Sequence, residues 1–163
     1  MKRWVLIALL ATACTKSSGE GAPVVDGSYM VYRVSQPMGA DVAEYDVKVS
    51  LAKQGNVYEM TIESTEPGET FEPLRVDERL VPETNVIGAY DLGRLWLPPE
   101  GRAPGKRTPC GTVSKAQKYR NWEAFRVDGL CGRAQGSRHY EKSTGMLVGF
   151  VLGQTSGYLK ESG

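Results

Sequence analysis

Few side chains in this 163-residue chain are strongly reactive: three cysteines, Cys14, Cys110 and Cys131, and one histidine, His139. A serine–histidine mechanism would have to rest on His139. It lies between Arg138 and Tyr140 in a segment that reads as one arm of a hairpin, where a histidine is expected at the surface or rim rather than as a general base. Ser50-Leu51-Ala52-Lys53 matches the S-x-x-K pattern, but that chemistry needs the serine at a helix start with the lysine one turn on. Here the four residues close an alternating stretch, and Lys142-Ser143-Thr144-Gly145 reads as a turn rather than a K-T-G partner. No G-x-S-x-G, G-x-G-x-x-G, P-loop, H-E-x-x-H or calcium-loop pattern occurs. Adjacent acids such as Asp77-Glu78 read as a solvated face. The sequence therefore predicts no catalytic residue, no metal site and no cofactor.

The start of the chain carries an address. Lys2 and Arg3 precede eight apolar residues, Trp4 to Ala11, followed by Thr12, Ala13 and Cys14. A membrane-spanning helix needs about 20 apolar residues, so this run has the length of a signal-peptide core. Charge, core, small residues and cysteine, in this order over residues 1–16, resemble the lipobox of bacterial lipoproteins. The match departs at Ala11, where the family usually has Leu. The residues alone also fit an ordinary secretory signal or an uncleaved anchor.

The resemblance implies cleavage before Cys14, lipid on its sulfur, and attachment to a bacterial membrane through several acyl chains. Thr15 stands where inner-membrane retention commonly uses Asp, which by resemblance favours the outer membrane, facing the periplasm. Removing Lys2 and Arg3 from 20 basic side chains leaves 18 against 19 acidic ones, a net charge of −1. The expected organisation is a signal peptide over 1–13, a flexible tether over 14–26, and one domain over 27–163.

If Cys14 carries lipid, Cys110 and Cys131 remain as a pair in an oxidising compartment, the arrangement expected of a structural disulfide. Metal ligation needs more ligands than one histidine supplies, and a redox pair usually shows C-x-x-C spacing.

Beyond residue 26 the pattern has period two. Tyr29 to Val34 is rich in aromatic and β-branched residues and reads as a strand stopped by Gln36-Pro37-Met38-Gly39. Ala43, Tyr45, Val47, Val49 and Leu51 alternate with charged or polar residues, and a turn at 53–56 leads into Tyr58, Met60 and Ile62. Residues 42–64 thus read as a hairpin. Shorter strands are expected at 71–76, 85–90 and 92–97, with a surface loop over 100–109. Residues 119–127 alternate without a clear polar face, as in a strand covered on both sides. Residues 137–152 form a second hairpin around Gly145, and 158–160 a last short strand. The fold class is all-β, an antiparallel meander of roughly eight to ten short strands closing as a barrel or curling as a half-barrel.

Charge and aromatics supply the binding candidates. Residues 59–83 carry eight acids against Arg75 and Arg79. Residues 101–120 carry Arg102, Lys106, Arg107, Lys115, Lys118 and Arg120 with no acid, a possible patch for an anionic partner. Trp96, Tyr119, Trp122 and Tyr140 are either core or the lining of a pocket. The near-neutral balance does not favour nucleic acid. The function expected is a membrane-attached binding or interaction module, with envelope proteins or an apolar ligand as partners. A carrier enclosing a lipid is the alternative, and an envelope enzyme is the least favoured reading.

Overall fold

The computed structural model of the chain describes residues 21–82, 95–131 and 134–163. The lipobox with Cys14, and the strand expected over 85–90, lie outside the described residues.

The fold is one antiparallel sheet of eleven strands. β1 (Tyr29–Met38), β2 (Asp41–Gln54), β3 (Val57–Ser64) and β4 (Leu74–Val76) form one run of hairpins. β5 (Arg107–Thr108), β6 (Gly111–Val113), β7 (Gln117–Tyr119), β8 (Trp122–Cys131), β9 (Ala134–Glu141), β10 (Leu147–Leu152) and β11 (Thr155–Ser162) form another. The two meanders join where the first strand pairs with the last, giving the order β4-β3-β2-β1-β11-β10-β9-β8-β6-β5, with β7 paired to β8. The seam is closed by Tyr29 N–H donating to the Gly163 carbonyl at 2.7 Å. The end strands β4 and β5 are not paired with each other, so the sheet is open and the barrel closure expected as one option is not formed.

Period-two patterning explains which face is buried. Tyr45, Val47, Val49 and Leu51 of β2 are buried, while between them Lys48 is exposed and Asp46 and Ser50 are half-buried. Cross-strand partners continue that face through Tyr32 and Val34 of β1, Phe150 of β10, Tyr140 of β9 and Val127 of β8. Leu95, Trp96 and Leu97 pack into the same core, and Trp96 bridges to Met146. The Tyr32 hydroxyl donates to the Leu147 carbonyl at 3.0 Å. Burial pushes the Tyr32 phenol well above its ordinary pKa, and the neighbouring Tyr140 adds to this.

Several elements differ from expectation. β1 continues through Pro37 to Met38, because from Gln36 onward it pairs with β2 alone and β11 has already ended. Proline has no N–H to donate, so a strand accommodates it where no neighbour needs that donor. β11 runs eight residues instead of three because both sides are paired. The 100–109 segment is not a bare loop: it holds a 3-10 turn at Pro99–Gly101 and the strand β5. Residues 22–26, placed in the tether by sequence, lie against the domain. Ala22 N–H donates to the Glu78 carbonyl at 2.7 Å, and Asp26 accepts from Lys53 N–H at 2.8 Å. Gly145 has φ 75°, as its turn requires.

Candidate functional site

Antiparallel pairing brings five strand ends to one end of the sheet: the starts of β1, β8 and β10 and the ends of β9 and β11. Among them lies a groove of about 290 Å³. Its apolar wall is Met30, Trp122, Met146, Val148 and Leu159, with Tyr29 beside them. Pro23 and Val24 contribute to the lining as the chain enters the domain. The polar groups are Ser28, Glu141, Thr144 and Ser162. Its volume lies at the lower limit of ligand pockets, which run from about 300 to 1,000 Å³.

The wall carrying Glu141 is fixed from behind by Arg102. Its guanidinium donates to the carbonyls of Leu97 (2.9 Å), Ser143 (2.8 Å) and Thr144 (2.7 Å) and lies 5.6 Å from the Trp96 ring centroid. The Trp96 indole N–H also donates to the Thr144 carbonyl, at 2.8 Å. The Thr144 hydroxyl, held at this turn, donates to Glu141 Oε2. Lys142, the next residue, turns to Glu123 at 2.8 Å.

The face of the sheet opposite the core carries a row of cross-strand neighbours: Arg126, His139, Gly149, Tyr158, Arg33 and Asp46. The β7–β8 hairpin tip folds over it. Tyr119 stacks on His139 with ring centroids 3.9 Å apart and planes at 14°, and Arg120 lies 3.5 Å from the Tyr158 ring centroid. Arg33 and Lys160 both reach Asp46, and the hydrogen bond from Arg33 holds the Asp46 carboxyl below its ordinary pKa against the effect of burial. For Asp128 burial likewise works to raise the pKa, but hydrogen bonds from Ser137 and Arg126 outweigh it and leave it lowered.

His139 is thus buried, only 7% exposed, and not the rim residue expected from sequence. Its cover comes from Tyr119, twenty positions earlier in the chain. Burial, assisted by the charge of Arg126 and opposed by Asp128, lowers its pKa to about 4. Its Nδ1 is buried and has no hydrogen-bond partner among the described residues. Gly149 makes this packing possible, since a Cβ there would meet the Tyr119 hydroxyl at 2.2 Å. Gly149→Ala is expected to push Tyr119 off His139 and to cost about 1–2 kcal/mol in urea unfolding. In a Tyr119→Ala background the same change should cost less, because the two residues share one contact.

The basic residues of 101–120 differ in their surroundings. Arg102 is committed to the turn carbonyls and Arg120 to Tyr158. Lys106, Arg107, Lys115 and Lys118 are exposed, and Arg107 lines a cleft of about 160 Å³ beside Cys110, next to the Arg79–Glu100 ion pair. Cys110 and Cys131 form a disulfide between the β5–β6 turn and the end of β8. Of the four aromatics, Trp96 and Tyr140 are core, Trp122 lines the groove, and Tyr119 covers His139. Among the described residues no cluster of histidine, cysteine or acidic groups could hold a metal ion, and no helix is long and apolar enough to cross a membrane.

No protein-family model matches the chain, and no curated protein matches it. Sequence reasoning missed Leu159 and Glu141 as site residues. Each belongs to a different strand end or turn, and only the sheet topology brings them together.

Proposed function

We propose that this chain is a lipid-anchored bacterial envelope protein whose β domain is a non-enzymatic binding module. The observation that carries the binding role is the groove at the end of the sheet, apolar on most of its wall and bordered by one carboxylate and three hydroxyls. The anchor rests on the lipobox and Cys14, with Thr15 favouring the outer membrane and a domain in the periplasm. The Cys110–Cys131 disulfide suits such an oxidising space. A non-catalytic role is supported by His139, the one histidine of the chain, which lies beneath Tyr119 and outside the groove lining. The groove holds a small group or a lipid head rather than an entire lipid, which favours a binding module over a carrier.

Two measurements test this. Wild-type cells fed an alkyne fatty acid should label the protein and keep it in the membrane fraction, and Cys14→Ser should lose both properties. Persistent labelling in Cys14→Ser would refute the anchor. Native mass spectrometry of the protein released from its own envelope should show a bound small molecule that Met146→Trp, which fills the groove, displaces. Absence of any such adduct counts against the binding role.

A further inference from the structure

Within that binding-module reading, we infer that the groove receives the ammonium headgroup of a membrane lipid, with Glu141 as its counter-charge. Three observations converge. Among the described residues Glu141 has the only charged side chain lining the groove, and it has no ion-pair partner among them. The basic residues around the groove have other partners: Lys142 pairs with Glu123, Arg102 donates to three backbone carbonyls, and Lys48 lies over the Tyr29 ring.

The carboxylate is also aimed. Arg102 and Trp96 fix the Thr144 carbonyl, and the Thr144 hydroxyl holds Glu141 Oε2. This leaves Oε1 for a second donor. A pre-positioned carboxylate loses little side-chain entropy on pairing, which is what separates a built site from a surface acid.

The remaining wall suits the rest of such a ligand. Trp122 lines the groove with an aromatic ring of the kind that attracts a cation, and the Tyr29 ring beside it already holds the Lys48 ammonium 5.2 Å from its centroid. Met146, Val148 and Leu159 give apolar surface for the short carbon arm next to the ammonium, while Ser28 and Ser162 at the edge provide hydroxyls that can donate to the headgroup phosphate. The groove also lies where the chain enters the domain, lined by Pro23 and Val24. A lipid attached at Cys14, nine residues before Pro23, keeps this end within about 30 Å of the bilayer. A headgroup of the anchoring membrane is therefore the occupant within reach. A ligand whose only charge is negative is disfavoured by Glu141, and a fully neutral apolar ligand would leave the carboxylate desolvated without a partner.

The full lipidated chain is incorporated into nanodiscs of phosphatidylglycerol or of phosphatidylglycerol with phosphatidylethanolamine, and Trp122 emission is followed. Hexyltrimethylammonium, hexanol and hexanoate are then titrated in. In phosphatidylglycerol discs the ammonium probe is expected to bind about tenfold more tightly than hexanoate, and Glu141→Gln should remove that preference while leaving hexanol binding unchanged. In phosphatidylethanolamine discs the emission should already be shifted, and the ammonium probe should bind several-fold more weakly through competition. Trp122→Phe identifies the reporting residue, and an unchanged urea midpoint confirms that Glu141→Gln is folded. If that variant is destabilised, Thr144→Val, which frees the carboxylate from its fixed position, should reduce the preference in its place.

Equal binding of all three probes would overturn the ammonium assignment and leave the binding module standing. Identical ammonium curves in both kinds of disc would overturn the headgroup as source in favour of a free amine. Binding of none of the probes would overturn both the inference and the groove's role.

Discussion

Removing the Cys110–Cys131 disulfide should lower the stability of the domain by about 3 kcal/mol. The two cysteines are 21 positions apart, and closing a loop of that size restricts the unfolded chain by this amount in the loop-entropy account. The position of the bridge adds a local effect. β5 and β6 are two and three residues long and form one edge of the open sheet. So short an edge has few ladder bonds, and Cys110 ties it to the end of β8. The edge should therefore fray first when the bridge is absent. A Cys110→Ser/Cys131→Ser variant should melt about 6–12 °C below wild type, and hydrogen exchange should accelerate in β5 and β6 before β1 and β2. A loss under 1 kcal/mol, measured by urea unfolding of the variant or of the reduced protein, would show that the rest of the fold already holds this edge.

Legibility in the sequence followed how local each determinant is. The β2–β3 hairpin was readable because Tyr45, Val47, Val49 and Leu51 face one core while their neighbours face water, a contrast written in adjacent residues. The ambiguity of residues 119–127 also had physical content. Ala124 and Phe125 are both buried, on opposite faces of β8. What could not be read was anything depending on a distant cover or on several strand ends. His139 looked like a rim residue because its alternation says nothing of Tyr119 folding across Gly149. Arg102 looked like part of an electrostatic patch because charge counting does not register backbone carbonyls as acceptors. The groove draws on residues from 23 to 163, and no periodicity within one element foretells that meeting.

Acidification from pH 7 to about 4.5 should cost the domain about 2–3 kcal/mol through His139 alone. In the unfolded chain its imidazole has the ordinary value near 6.5, whereas in the fold it is lowered to about 4. The unfolded state therefore binds the proton first. The stability linked to His139 is fully present above pH 6.5 and is lost progressively as pH falls toward 4. The groups around it account for this direction. Tyr119 from β7 covers one ring face, Gly149 from β10 is its cross-strand neighbour, and Arg126 from β8 repels a second positive charge. Asp128 opposes them but already accepts from Arg126 and Ser137 at 2.8 and 2.6 Å. Asp46 and Asp128, whose pKa values are lowered, lose their contributions only below the ordinary carboxylate range, so their acid effect falls in a separate, lower window. His139→Phe should keep the stack on Tyr119 and flatten the urea midpoint between pH 7 and 4.5. The imidazole carbon resonances of the wild type should titrate well below 6.5. A midpoint that falls as steeply in His139→Phe as in the wild type would assign the acid sensitivity to other groups. An ordinary titration near 6.5 would mean that the imidazole is open to water, because neither the stack on Tyr119 nor the burial beneath it is compatible with an imidazole that charges as freely as in a peptide.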